Sequence, residues 1–369
     1  MSNILYVINS PCWTDISPTR LNDTKMFDNP LSENFTFFYY NLMKYGLVKK
    51  VIIYNNNTRR GGIDGALVPR EISTEYGSME IRDHHNQINE INADHEMNFV
   101  FCWTNIEECI KINNKFIIVD NQFHGYIKKS SINKDIHDLV LTESENFKKY
   151  IPKNIPTYVY KLISYDHEKF QLENKNFSSS KKYDWIMISS FDKRKRHLEF
   201  LDCLNKHNLS NLKGCIIARD PNNKKKRLFD FFKKTPWKIF NKVKKLSKKM
   251  NFDIFLNIHQ AKKIELTLNS KIFINSSILD SGPRAQVEAM QLNIPVLSMS
   301  HIGSSDLIES KKNGEISSDI KDMPNKLKLM LDNYTLYSLN TFETYLKADL
   351  FMPNLVKKIQ FYHNKKISK

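Results

Sequence analysis

Short, nearly unbroken apolar runs recur along the whole chain, and they constrain the fold more than any other feature. In the first half they are "ILYVIN" (4–9), "KKVIIYN" (49–55), "MNFVFCW" (97–103), "KFIIVDN" (115–121), "DLVLT" (138–142) and "TYVYKLI" (157–163). In the second half they are "DWIMISS" (184–190), "LKGCIIA" (212–218), "FDIFLN" (252–257) and "KIFINSS" (271–277). A strand open to water on one face alternates apolar with polar residues. One that does not alternate is buried on both faces, as in a parallel sheet covered by helices. Helical segments separate the runs: "SENFTFFYYNLMKYG" (32–46), "ESENFKKYI" (143–151), "KRHLEFLDCLNKH" (195–207) and "QAKKIELTLN" (260–269). Pro30 and Ser32 mark a helix start, and Gly46 marks a stop. The order predicts an α/β protein of doubly wound parallel sheets.

The 369 residues exceed what one core usually serves, so two domains are expected. Residues 1–165 form the first Rossmann-like domain, and the polar, Ser-containing stretch 166–182 is a linker. Residues 183–345 form the second domain, and 346–369 are a helix packing back on the first. In such sheets ligands bind beyond the carboxyl ends of the strands, so two domains are expected to face a cleft. No repeat of solenoid length is evident.

Several classes are disfavoured. No window approaches 18 uninterrupted apolar residues, which argues against a spanning helix. "MSNILYVINSPCW" lacks a basic segment before its apolar run and reads as a first strand, not a signal peptide. Cys12, Cys102, Cys109, Cys203 and Cys215 lie far apart with no CxxC or Cys/His ligand spacing, which fits a reduced, cytoplasmic interior. "RDHHNQ" (82–87) lacks helical metal-ligand spacing and reads as a polar loop, so no metal is expected.

The formal charge of +16 is concentrated. Residues 193–250 hold nineteen Lys and Arg against four Asp and Glu, and so carry nearly all of the excess. Such a segment implies an anionic partner. Within it, 222–250 interleaves cations with Phe229, Phe232, Trp237, Phe240, Val243 and Leu246, and Pro236 interrupts it. It reads as two short amphipathic helices, or a helix and a loop. Two readings stand: a peripheral helix with its apolar side in an anionic membrane interface, or a helix packing its aromatics on the sheet beneath a solvated lysine face. No nucleic-acid motif accompanies the charge, so no nucleic-acid partner is expected.

The densest stretch is "SILDSGPRAQVEAMQLNIPVLSM" (277–299). A strand ends, a loop holds Gly282, and Pro283 suits a first helical position. The amides of Arg284, Ala285 and Gln286 are then expected to face outward as an anion site, with the Arg284 side chain close by. Glu288 lies one turn on, where a carboxylate can accept two hydroxyls of a ribose. By itself, a Glu in an Ala/Val/Met helix also reads as a half-exposed solubilising residue.

"DSGPRAQVEAMQLNIPVLSM…IGSSDLI…NG" resembles the signature of retaining GT-B glycosyltransferases of the large family-4 type, E-G-x-G-x-x-x-x-E-A-M-A-x-G-x-P-V-I followed by G-G-x-x-E-x-I and N-G. The resemblance implies a GT-B fold of two Rossmann-like domains, and a nucleotide-diphosphate sugar as donor without a separate cofactor. It implies that Glu288 binds the ribose, that Asp280 binds hydroxyls of the donor sugar, and that loop amides 282–286 hold the diphosphate. "ISSFDKRKRHLEFL" is similar to the family's Gly-Arg-x-x-x-x-x-Lys segment. Lys195 takes the Lys position, Ser190 stands where the family has Arg, and Arg194 or Arg284 is the candidate replacement cation. Backbone near Ile258 and His259 is implied to meet the base. In the first domain, implied to bind the acceptor, Asp120 falls where relatives often carry a His touching the donor sugar. His124, four residues on, is either a second such group or a structural His. Asp for the first Glu, Pro283 at one usual Gly and Asn293 at another are departures.

The implied reaction moves the sugar to an acceptor hydroxyl, in assembly of surface polysaccharide or glycolipid. The acceptor is a saccharide or a lipid-linked saccharide, and the inner face of the membrane is the place. Two other readings fit parts of the sequence. One is a sugar-nucleotide epimerase of GT-B-like fold, which requires further cleft carboxylates and His. The other is a non-enzymatic module holding an anionic polymer on the basic segment.

Overall fold

The computed structural model describes residues 4–8, 34–55, 70–83, 86–102, 106–120, 132, 135–160, 180–220, 234–258, 260–278, 280, 283–300, 303, 305–343 and 348–368. The chain divides into two compact units: Met1–Tyr165 with Lys347–Lys369, and Asp166–Leu346.

Unit 1 is built on an eight-stranded sheet. Its strands are β1 (Ile4–Ile8), β2 (Lys50–Asn55), β3 (Arg70–Thr74), β4 (Gly77–Asp83), β5 (Phe99–Cys102), β6 (Phe116–Asp120), β7 (Leu139–Thr142) and β8 (Thr157–Val159), in spatial order β3-β4-β2-β1-β5-β6-β7-β8. All pairings are parallel except β3 with β4. Period-2 geometry sends alternate side chains to opposite faces. Leu5, Val7, Val51, Ile53, Phe99 and Phe101 enter one core, and Tyr6, Ile8, Ile52, Tyr54, Val100 and Cys102 enter another. Both faces are buried, which is why the runs read as continuous.

On the first face lies α1 (Asn34–Lys44), with Phe38 edge-on to Phe101 at 5.7 Å between ring centroids. Gly46 ends it with φ +77°, a backbone state that costs glycine little. The helix predicted over 143–151 is a tighter 3-10 turn, Glu145–Tyr150, started by the Ser144 side chain accepting from the Asn146 amide. The predicted polar loop 82–87 instead carries the end of β4 and the start of α2 (Gln87–Ala93).

The C-terminal helix of this unit, labelled α9 (Ala348–Ile367), packs Met352, Leu355, Val356 and Ile359 into the α1 face. Its last turns reach the amino edge of the sheet. There the Lys366 ammonium pairs with Asp138 at 2.7 Å and donates to the Lys115 carbonyl, and His363 bonds the Met97 carbonyl at 2.7 Å. Lys115 itself is buried and donates to the carbonyls of Asp94 and Glu96. Asp94 accepts from Tyr6 and Asn98, and the Asn98 side chain accepts the amide of Ile4. Burial pulls the Lys115 ammonium below its usual range, against the pull of Asp94.

Unit 2 carries a six-stranded, all-parallel sheet in the order β11-β10-β9-β12-β13-β14. The strands are β9 (Tyr183–Ile188), β10 (Gly214–Ala218), β11 (Phe252–Leu256), β12 (Ser270–Asn275), β13 (Val296–Met299) and β14 (Gly314–Ser317). Its helices are α3 (His197–Lys206), α4 (Lys234–Leu246), α5 (Gln260–Leu268), α6 (Arg284–Gln291), α7 (Met323–Asp332) and α8 (Tyr334–Glu343). The chain winds outward from β9 to β11, then returns to lay β12 against the other side of β9. The order thus reverses at the β9/β12 boundary, where an open α/β sheet forms its crevice.

Two features depart from expectation. "SSDLIESKKNG" (304–314), expected helical, has among its described residues a 3-10 turn at Ser305–Leu307, then a turn into β14. Asn313 dictates this: its side chain accepts the Glu309 amide and donates to the Leu307 carbonyl, competing with helix ladders. In the basic segment, Pro236 lies in the first turn of α4, where no amide needs an intrahelical acceptor. Phe240 and Val243 of α4 are buried in the unit 2 core, so this helix does not present them to a membrane. Residues 222–233 lie outside the described residues.

Candidate functional site

The crevice at the β9/β12 boundary is where the sequence-predicted residues of unit 2 gather. After β9, Asp192 caps a 3-10 turn (Lys193–Lys195), its carboxylate accepting the Arg194 amide at 2.8 Å. Arg196 adopts φ +52°, and this left-handed step turns the chain into α3. After β12, the chain is stitched to that turn: the Ser276 hydroxyl donates to the Lys195 carbonyl at 2.6 Å, and the Ile278 amide donates to the Arg194 carbonyl at 3.0 Å. The stitching brings the Lys195 ammonium onto the Asp280 carboxylate as an ion pair, with side-chain exposures of 18% and 13%. Residues 85 apart in sequence thereby meet over one crevice.

Glu288 is buried on α6, not half-exposed. Its Oε2 takes the Lys263 ammonium of α5 at 2.7 Å. An ionised carboxylate at this depth needs such a partner, because burial of a lone charge is costly. Beside it, Asn275 at the end of β12 donates to Gln286 at 2.9 Å, fixing α6 against the strand.

The start of α6 differs in detail from expectation. Pro283 caps the helix and Arg284 is its first residue. The Gln286 amide donates to the Pro283 carbonyl at 2.8 Å, so it serves the turn and does not face outward. Pro283 is buried, while Arg284 and Ala285 are half-buried. Asn293, where the resembling family has Gly, sits at φ +59°, a backbone state that Asn tolerates better than most residues.

Of the remaining predicted residues, Ser190 is exposed and its carbonyl accepts the Asp192 amide. Arg194 turns its guanidinium back onto Asp192 at 3.1 Å. Burial alone raises the Asp192 carboxyl, but the Arg194 contacts outweigh it and hold the group below its usual range. Ile258 follows β11 at the same edge of the sheet, half-buried. In unit 1, Asp120 ends β6 fully buried. Gly282, His259 and His124 lie outside the described residues, as do "RRGG" (59–62) and residues 121–126.

Sequence reasoning passed over three residues near these turns. Lys263 comes from a segment with no motif, and only the pairing across β12 identifies it. Ser189 and His197 were passed over inside recognised segments, although they bond at 3.0 Å between the end of β9 and the start of α3. Burial, assisted by the nearby Lys195 charge, brings the His197 imidazole down to about 4, so it is neutral at pH 7. Among the described residues no cluster of three His, Cys, Asp or Glu side chains is placed to hold a metal.

Residues 168–340 match the family model of glycosyl transferases group 1. No curated protein matches the chain by sequence. Among solved structures, HepE of Anabaena, in complex with UDP, superposes with TM-score 0.61 at 12% identity over 99% of both chains. Sucrose-phosphate synthase of Thermosynechococcus elongatus gives 0.61 at 9% identity over 100% of both. α,α-Trehalose 6-phosphate synthase of Burkholderia multivorans gives 0.64 at 8% identity, over 100% of this chain and 98% of that one. At these identities the likeness speaks for the GT-B fold, and the family match speaks for the activity. The match lies within the second unit, and the chain has the GT-B fold of a glycosyltransferase.

Proposed function

We propose that the chain transfers a sugar, with retention of configuration, from a nucleoside-diphosphate sugar held at the β9/β12 crevice to an acceptor hydroxyl. The observation that carries the reading is the convergence of two carboxylate–ammonium pairs, Lys195 with Asp280 and Lys263 with Glu288, around one strand-order reversal. Two ammonium groups suit a diphosphate, and two carboxylates suit two sets of hydroxyls. In this reading Lys195 exchanges Asp280 for the diphosphate, helped by the amides of Arg284 and Ala285. Asp280 is released to accept hydroxyls of the transferred sugar. Glu288, oriented by Lys263, accepts the ribose hydroxyls.

In the reaction the bond from the anomeric carbon to the phosphate oxygen breaks, and a bond to the acceptor oxygen forms. The acceptor proton leaves on the departing phosphate. The barrier falls through positioning and through Lys195 stabilising charge as it develops on the diphosphate. No covalent intermediate on a side chain is invoked. The acceptor is a saccharide or a lipid-linked saccharide. We further propose that the product belongs to a surface polysaccharide or glycolipid, made at the cytoplasmic face of the membrane.

A panel of nucleotide sugars tests the donor site by thermal stabilisation and by donor consumption. At least one is expected to raise the wild-type melting temperature, and Glu288→Ala is expected to weaken its binding about tenfold through lost ribose hydrogen bonds. A panel in which none stabilises the wild type overturns the reading.

A further inference from the structure

A second charged surface lies outside the pairs just described. A groove of about 740 Å³ runs between α4 and the start of α3. Lys238, Lys242, Lys245 and Lys248 line one wall, and Lys193 and Arg196 line the other. Of the acids on the walls, Asp192 is bound to Arg194, which leaves Glu199 to offset these cations.

Two observations restrict what such a groove can hold. First, α4 has spent its apolar side on the fold: Phe240 and Val243 lie in the unit 2 core, so what the helix offers to solvent is the lysine stripe. Second, Trp237 stands half-exposed at the amino end of that stripe and lines the same groove. A half-exposed Trp beside lysines suits a water–headgroup boundary, with an apolar body and a polar N–H. From Trp237 to Lys245 the helical stripe extends about 12 Å at 1.5 Å per residue, which exceeds one small anion. No described helix is long and apolar enough to cross a membrane, so contact through this helix is peripheral.

We propose that the α3–α4 groove and the lysine stripe beside it dock the protein on an anionic lipid surface. The lysines meet headgroup phosphates, Trp237 enters the interface, and the apolar side of α4 stays in the protein. This gives a physical site to the membrane part of the proposed function. It does not depend on the donor site, so either can fail without the other.

The test is co-sedimentation with vesicles of phosphatidylglycerol and phosphatidylcholine, against vesicles of phosphatidylcholine alone. Wild type is expected to bind the anionic vesicles at low salt, to release in high salt, and to ignore the neutral ones. Each lysine near an anionic surface contributes a factor of about five, so Lys238→Gln/Lys242→Gln/Lys245→Gln together are expected to weaken vesicle binding about a hundredfold. Trp237→Ala is expected to weaken it less and to leave the salt dependence intact. Cooperative thermal unfolding followed by circular dichroism reads whether each variant stays folded; should the triple variant misfold, the wild-type comparison of anionic and neutral vesicles decides. Absence of binding to anionic vesicles at low salt, equal binding to neutral ones, or undiminished binding by a folded triple variant overturns the proposal. So does stabilisation by pyrophosphate that the triple variant abolishes without any vesicle binding, which identifies a soluble phosphate as the occupant.

Discussion

Two regions of the molecule withdraw charge from water, and they do it by opposite means. At the amino edge of the unit 1 sheet, Lys115 is 2% exposed and donates hydrogen bonds to the backbone carbonyls of Asp94 and Glu96. Asp94 in turn accepts from Tyr6, Asn98 and the Glu96 amide. In the crevice of unit 2, Lys195 meets Asp280 and Lys263 meets Glu288, side chain to side chain, with the lysines still 18% and 19% exposed. A charge bound to backbone cannot change partner without moving the chain. A charge bound to another side chain near water can exchange it for a ligand by a change of rotamer. The same residue types therefore fix shape in one place and stay exchangeable in the other.

The contrast breaks most visibly at its two lysines. Lys195→Ala is expected to cut turnover by about 10²–10³, because it removes stabilisation of the departing phosphate. Its urea-unfolding free energy is expected to stay within about 1 kcal/mol of wild type, as for a partly exposed pair. Near wild-type turnover removes Lys195 from the site.

A second test sits at the start of α3, two residues past Lys195. His197 has a folded-state value of about 4 against an ordinary 6.5, so between those values the unfolded chain takes up a proton that the folded chain refuses. Stability is therefore full above pH 6.5, falls as the pH drops toward 4, and levels off below, with a total of roughly 3 kcal/mol. Urea unfolding at stepped pH reads this slope, and His197→Gln should flatten it. An unchanged slope in that variant would mean that other groups set it.

The smallest expected effect is the most diagnostic. Lys115→Met should lose about 2 kcal/mol of stability by orphaning buried carbonyls, with turnover of the folded protein unchanged. A variant that stays stable but loses turnover would invert the comparison.

What the sequence disclosed follows the same division. The strands of both sheets were legible because both faces are buried, so Val51 and Ile52 are apolar although they point opposite ways. β3 and β4 were not, because they lie at the sheet edge, where Glu80 pairs with Lys50 and Arg82 and the apolar signal is broken. β14 was hidden by its short length and by the Asn313 turn before it. In the crevice, Lys195 and Asp280 were marked by the family resemblance alone, and Glu288 by that resemblance and by its place one turn past the Gly-Pro loop. Lys263 was not, since its role arises only when α5 packs beside α6. Backbone commitments, such as the Gln286 amide bonding Pro283, depend on cap geometry that residue identity does not fix.

The docking of α9 on unit 1 has a consequence for how the protein is made. Residues 166–346 leave the ribosome as one continuous stretch and can complete their sheet during synthesis. The unit begun first must wait: until residues 348–367 emerge, the carbonyls of Met97 and Lys115 lack the His363 and Lys366 that serve them, and the apolar side of α1 lacks Met352 and Leu355. The unit that comes first in the sequence is thus the later of the two to close.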